Sequence, residues 1–290
     1  MLSHQGRSRY YLVHVPPQAA AGTPLPVLLA LHGGGGNAEQ FKAESGFDDV
    51  GTREGVLVVH PGGSGMLPRT LLTWNAGTDC CGFALDQEVD DVGFLLALVE
   101  ELAARTSVDL KRVYVAGHSN GGMMAYRAAA EAGDRIAAIV PVGGAMMLGS
   151  FDPPSAVPVL HIHSVDDPRA LYDGGLGPPF PVGGGQVLHR PVMEGITAWI
   201  ERNGCPTFPE IVEERVGASG TLNAGQRARL LRWSPCDSGA PVLHWRMEGV
   251  GHGWPGRVAP PARERIIGPS TTLISAAEEA WAFVRDHRLP

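Results

Sequence analysis

The chain has 290 residues, 44% hydrophobic and 18% charged, with 23 Lys and Arg against 30 Asp and Glu for a formal net charge of −7. This is a folded, globular composition, and a chain of this length buries roughly 75% of its unfolded surface without needing metal or disulfide staples. The acidic balance, with no basic run of five or more residues, argues against nucleic acid or an anionic membrane as a partner. No apolar run reaches the ~18 residues of a membrane span.

The first nine residues lack an apolar core segment, so no secretory leader is expected within them. Arg9 to Val15 alternates and suits an early strand, closed by Pro16-Pro17. Pro26 to Leu31 is short and almost wholly apolar, as expected of a strand buried on both faces. It runs into His32-Gly33-Gly34-Gly35-Gly36. A helix is expected from about Ala38 to Arg53, then a buried strand from Val56 to His60. A long loop from Gly62 to Leu85 follows, holding Trp74 and Cys80-Cys81. Asp90 to Arg105 is an amphipathic helix, with Phe94, Leu95, Leu98 and Leu102 at helical spacing and Asp90 and Asp91 at its N-terminal end.

Arg112 to Ala116 reads as a strand, Gly117 to Gly121 as a turn and Met123 to Ala132 as a helix. Strands are expected at Ile136–Val142 and Val157–Val165, a Pro/Gly-rich surface loop from Asp166 to Gly185, and a helix at Met193–Arg202. Late strands fall at Arg229–Trp233 and Val242–Met247, and Ile274 to Val284 closes the chain as a helix. Strands alternating with helices predict an α/β fold in one domain: a mostly parallel central sheet, helices on both faces and no lid domain.

Gly117-His118-Ser119-Asn120-Gly121 fits Gly-x-Ser-x-Gly, a weak pattern alone. Its setting gives it mechanical meaning, because a buried strand enters it and an apolar helix leaves it. Such a turn exposes Ser119 as a nucleophile above the sheet edge. An oxyanion hole needs two backbone N–H groups. Asn120 supplies one, and Gly34 or Gly35 the other; the sequence does not choose between them. The acid and base should follow in the order Asp, then His. The strand ending at Val165 leads to Asp166-Asp167, and the last strand leads to Gly251-His252-Gly253. Among 11 histidines, His252 alone combines a strand end, glycine flanks and a place after the acid. Asp167 is the expected acid, with Asp166 as the alternative.

His161-Ile162-His163 places two imidazoles on one strand face. A metal pair would need further carboxylates there, so histidines hydrogen-bonded to their neighbours are the preferred reading, and no metal or cofactor is expected. Trp74, Trp254 and His118 are candidate walls of the substrate pocket.

These stretches resemble the polyhydroxybutyrate depolymerase/feruloyl esterase group of α/β hydrolases, including its LpqC-like members. The resemblance rests on Tyr10-Tyr11-Leu12-Val13-His14-Val15-Pro16, Leu31-His32-Gly33, Trp74-Asn75-Ala76-Gly77 and Cys80-Cys81-Gly82. It rests further on Val89-Asp90-Asp91-Val92-Gly93-Phe94-Leu95, Gly117 through Met124, His161-Ile162-His163, and Gly251-His252-Gly253-Trp254-Pro255-Gly256. It implies extracellular hydrolysis of polyester oligomers or of feruloyl or acetyl esters, through Ser119, Asp167 and His252. It also implies a Cys205–Cys236 disulfide, whereas Cys80 and Cys81 could be a vicinal disulfide or buried thiols.

Two segments depart from the family. His163-Ser164 stands where His-Gly is usual, and Pro168-Arg169-Ala170-Leu171-Tyr172 where Pro-Val-Val-Pro-Tyr is usual. The expectation is a monomeric serine esterase working through an acyl-enzyme on a small or polymeric ester. A serine peptidase or amidase of the same fold, and an idle polymer- or glycan-binding relative, are the alternatives.

Overall fold

The structure is a computed structural model that describes residues 1–78, 80–180 and 185–290. Asp79, in the long loop, and residues 181–184, in the Pro/Gly-rich loop, lie outside the described residues. The central sheet comprises β1 (Tyr11–His14), β2 (Leu25–Leu31), β3 (Leu57–Pro61), β4 (Val108–His118), β5 (Ala138–Val142), β6 (Val159–Ser164), β7 (Glu210–Val216), β8 (Arg227–Trp233) and β9 (Val242–Glu248). Its spatial order is β7-β8-β9-β6-β5-β4-β2-β3-β1. From β9 to β3 the pairings are parallel. Antiparallel strands close both edges.

Eight helices are described: α1 (Ala38–Ser45), α2 (Phe47–Glu54), α3 (Gly82–Asp86), α4 (Asp91–Ala103), α5 (Asn120–Ala132), α6 (Val192–Asn203), α7 (Pro261–Ile267) and α8 (Ala276–Val284). They cover the sheet on both faces, which explains the continuous apolar runs of its central strands. Val27, Leu29 and Leu31 of β2 join Leu98, Met124 and Trp199 in one core layer. Leu28 and Ala30, pointing the other way, join Phe41, Phe47 and Trp281 in the second.

Several boundaries differ from the sequence expectation. The strand expected at Arg9–Val15 is interrupted: Arg7–Arg9 pairs with Leu2–His4 in a separate hairpin, and β1 begins at Tyr11. The helix expected from Ala38 to Arg53 is two helices, because Gly46 adopts φ 79° and ends α1. α3 lies within the segment expected to be loop. β7 and α7 were not expected at all. β7 is an exposed edge strand rich in charge, so it lacks the apolar alternation that marks a strand. Its Glu210 and Glu214 instead pair with Arg232, Arg227 and Arg229 of β8, a composition that also discourages edge-to-edge association.

One buried ion pair ties the N-terminal hairpin to the loop under the site. Arg9 and Asp91 are 3% and 0% exposed and bond at 2.7 Å. The other Asp91 oxygen accepts from the Asn75 amide, which fixes the backbone beside Trp74. The Arg9 guanidinium also lies 3.9 Å over the Phe94 ring. Asp90 caps α4 by accepting from the Gly93 amide. The Asp-Asp-Val-Gly-Phe segment is therefore a structural anchor. Burial pushes the Asp91 carboxyl up, against the lowering effect of Arg9. Arg9→Met leaves that carboxyl without its cation. It should lower unfolding free energy by about 3–5 kcal/mol, measurable by urea denaturation; a loss within error would mean the pair is dispensable.

Candidate active site

Four loops meet at the C-terminal ends of the parallel strands, where open α/β sheets gather their functional groups. They follow β2, β4, β6 and β9. Ser119 lies between β4 and α5 with φ 54° and ψ −120°, a region costly for a residue with a side chain. The surrounding contacts hold it there. The Ser119 amide donates to Val142 O at 2.7 Å, and Ser119 O accepts from the Met123 amide at 2.9 Å. A Cβ on Gly117 would strike the Gly121 carbonyl, and one on Gly121 would strike the carbonyls of Leu31 and His32. Both positions are glycine because the elbow packs backbone against backbone.

His252 Nε2 stands 2.9 Å from Ser119 Oγ. Its Nδ1 bonds Asp167 Oδ2 at 2.7 Å. A carboxylate only accepts, so Nδ1 carries the hydrogen and Nε2 is left as the acceptor facing the serine. Asp167 is 4% exposed. Its Oδ1 accepts from the amides of Arg169 and Ala170 at 2.7 and 2.9 Å. Burial pushes this carboxyl up, but His252 and His163 outweigh it and hold the group well below the ordinary carboxylate range. Asp166 points elsewhere: it accepts from the Gly249 amide and so pins the turn that starts the His252 loop.

His118 Nε2 donates to the His252 carbonyl at 2.9 Å, and the two rings lie 4.9 Å apart. Burial lowers His118 to about 3, so it is a neutral prop for the His252 loop as well as a pocket residue. His32 has a similar framing role, which the sequence reading did not identify. Its Nδ1 donates to Gly33 O, and its Nε2 accepts from the Gly63 amide. Burial lowers it to about 4. Asn120 was expected to act through its backbone alone. Its side chain also accepts from the Trp74 amide and donates to the Trp74 carbonyl.

A cavity of about 330 Å³ opens over Ser119, with Phe41, Met123, Phe180, Val187 and Ile266 among the apolar walls and Arg169 and His189 among the polar ones. The two tryptophans expected to line it do not. Trp74 is fully buried and spends its indole N–H on His32 O. Trp254 is 6% exposed, bonds Ser45 O and packs edge-on against Phe41 and Phe47. Both support the wall from behind. The vicinal cysteines are joined as a disulfide at the pocket wall, and Cys205 is bonded to Cys236.

Fold and site together define a hydrolase of the α/β-hydrolase type: a serine on a strand–helix elbow, facing a histidine that faces a buried aspartate. The chain belongs to the esterase PHB depolymerase family, whose profile matches residues 9–187. It is 31% identical over 288 residues to NocK of Nocardia uniformis subsp. tsuyamanensis, which is named as an esterase; the match covers 96% of this chain and 80% of that one. It is 26% identical over 250 residues to the bifunctional acetylxylan esterase/xylanase XynS20E of Neocallimastix patriciarum, covering 86% of this chain but only 31% of that protein. The acetyl xylan esterase from Aspergillus awamori shares the fold, with a TM-score of 0.59 over 95% of this chain and 93% of that one at 15% identity. The protein is accordingly a carboxylic ester hydrolase of this family.

Several imidazoles at this edge are kept neutral. Burial holds His32 at about 4, and His118 and His244 at about 3, against an ordinary 6.5. Below pH 6.5 the unfolded chain binds protons at these positions that the folded protein refuses. Stability is therefore complete above that pH and falls as pH drops toward 4, by up to ~1.4 kcal/mol per pH unit for each such histidine. Thermal unfolding between pH 7.5 and 4.5 should show the melting temperature declining through this window. His244→Asn, which removes one of these groups, should flatten the decline; a parallel curve would contradict the assignment.

Proposed function

We propose that Ser119 is the nucleophile, His252 the general base and acid, and Asp167 the group that orients and charge-balances His252. The observation that carries this reading is the continuous bonding from Asp167 Oδ2 through His252 to Ser119 Oγ. In acylation, Ser119 Oγ attacks the ester carbonyl while its proton passes to His252 Nε2. His252 then gives that proton to the departing alkoxide oxygen. Water repeats the cycle on the acyl-enzyme, losing its proton to His252 and releasing the acid.

The oxyanion is received by the amides of Asn120 and Gly34. Gly35 is set aside because its N–H already donates to Leu72 O at 2.8 Å. The Gly34 amide has no backbone partner among the described residues, and its Cβ position lies 3.5 Å from Asn120 Cβ, so the two donors are neighbours.

The substrate class is an ester of a short or aromatic acyl group: hydroxyalkanoate oligomers, or feruloyl or acetyl groups on polysaccharide. A largely apolar cavity of about 330 Å³ is of the size that holds such a group. Relatives named for acetylxylan and feruloyl esters support the class. The Cys205–Cys236 disulfide supports an extracellular or cell-envelope working place. All three side chains come from one chain and one sheet edge, so the triad is complete without a partner subunit. No helix among the described residues is long and apolar enough to cross a membrane.

The test is hydrolysis of p-nitrophenyl acetate and butyrate by wild type and Ser119→Ala. The variant should lose at least about a thousandfold in kcat with its melting temperature unchanged. Equal rates in both proteins would remove Ser119 from the reaction. Methyl ferulate against hydroxybutyrate oligomers then ranks the substrates, and matched anilides separate esterase from amidase action.

A further inference from the structure

Behind Asp167 lies a file of buried polar rings that the triad does not use. Tyr126, on α5, is fully buried, as are His161 and His163 on β6. Tyr126 Oη is 3.0 Å from His161 Nδ1. His161 Nε2 is 3.1 Å from His163 Nδ1. His163 Nε2 is 2.8 Å from Ala170 O and 3.4 Å from Asp167 Oδ2.

The hydrogens in this file are determined by its end. A carbonyl and a carboxylate only accept, so His163 Nε2 must carry a hydrogen. With its Nε2–H spent on Ala170 O, His163 takes the His161 Nε2–H at its Nδ1 lone pair. That leaves His161 Nδ1 as the acceptor of the Tyr126 hydroxyl. Burial disfavours charge on His161, which keeps one of its ring nitrogens an acceptor. A side branch has the same logic. His244 Nδ1–H donates to His161 O, and its Nε2 receives the Tyr172 hydroxyl. Each ring nitrogen of His161, His163 and His244 has a hydrogen-bond partner, which accounts for the paired histidines of β6.

All the O–H and N–H dipoles of the file point toward the Asp167 loop. Chains of hydrogen bonds polarise one another, most strongly in a low-dielectric interior. The last donor acts on Asp167 in two ways. It stands 3.4 Å from Oδ2, the oxygen that His252 also holds. It also pins the Ala170 carbonyl, while the Ala170 amide holds Oδ1.

We propose that Tyr126, His161 and His163 form an oriented hydrogen-bonded relay that positions and polarises the Asp167 carboxylate, and are positioning residues for ester hydrolysis. The relay ties the helix that leaves the nucleophile to the loop that carries the acid. It rests on the reading of Ser119, His252 and Asp167 given above.

Three variants test it on p-nitrophenyl butyrate, with the low-field proton resonance of the His252–Asp167 bond as a substrate-free readout. His163→Leu removes the terminal donor and should lower kcat by about ten- to a hundredfold, as a displaced catalytic group does. KM should stay within about twofold, since ground-state binding is untouched. His163→Gln keeps a donor near the Nε2 position and should recover most of the loss. Tyr126→Phe removes one hydroxyl at the far end. It should lower kcat by about threefold or more, at constant KM, and shift the low-field resonance upfield.

A Tyr126→Phe protein with wild-type kcat and an unmoved resonance overturns the relay. So does an equal loss in His163→Gln and His163→Leu. If either Tyr126→Phe or His163→Leu fails to fold, the other comparison decides. Failure of the underlying reading is seen separately, as undiminished activity in Ser119→Ala.

Discussion

A carboxylate buried at the edge of this sheet is tolerable only because N–H groups surround it. Asp167 is 4% exposed, and an isolated charge in such a place would protonate rather than persist. The amides of Arg169 and Ala170, the His252 ring and the His163 ring all face it. Satisfying this one group dictates much of the local architecture. It requires a tight turn directly after β6, so that two successive amides point inward. It requires the last loop to return over the turn, and Asp166 holds that loop by bonding the Gly249 amide. It also draws on the His163 Nε2–H behind the turn. The adjacent aspartates thus divide the labour, one holding the ring and the other the loop.

The second constraint is the elbow. Ser119 occupies a backbone region that costs of order 1–3 kcal/mol. The cost is met by the contacts of β4, β5 and α5, including the amide bond to Val142 O. The elbow is also why the pocket floor is rigid. Asn120 grips the Trp74 backbone from both sides, and Asn75 is held by Asp91, which is held by Arg9. A line of directed bonds therefore runs from the N-terminal hairpin to the residue after the nucleophile. Little of it touches the pocket, yet it sets where the Asn120 amide points.

Legibility in the sequence followed the strength of the physical signal. The central strands were readable because burial on both faces leaves continuous apolar runs, such as Pro26–Leu31. The meeting of Ser119, Asp167 and His252 was readable because each follows a strand end in chain order. The edge strand Glu210–Val216 was not, since its pairing relies on charges that resemble a solvated loop. The Gly46 break was not, because one glycine within a polar amphipathic stretch does not announce a left-handed turn. Trp74 and Trp254 misled for another reason. Aromatic side chains suit the wall of an acyl pocket, but an indole N–H needs a partner, and each found a backbone carbonyl inside the core. The pairing of the Gly35 amide with Leu72 O was out of reach, because Leu72 lies far along the chain.

The imidazoles around the site raise a question of charge. A serine hydrolase must let one histidine become cationic while its neighbours stay neutral, and His118 lies only 4.9 Å from His252. The discrimination is structural. His118 faces a carbonyl dipole and His163 a carbonyl shared with the carboxylate, whereas His252 bonds Asp167 at 2.7 Å. A carbonyl fixes a tautomer without offering a full compensating charge; a carboxylate does both. On the proposed reading, the Ser119 proton goes to His252, the ring that bonds the Asp167 carboxylate at 2.7 Å. His118, held at about 3 by burial, is a poor place for the proton to go and contributes shape instead.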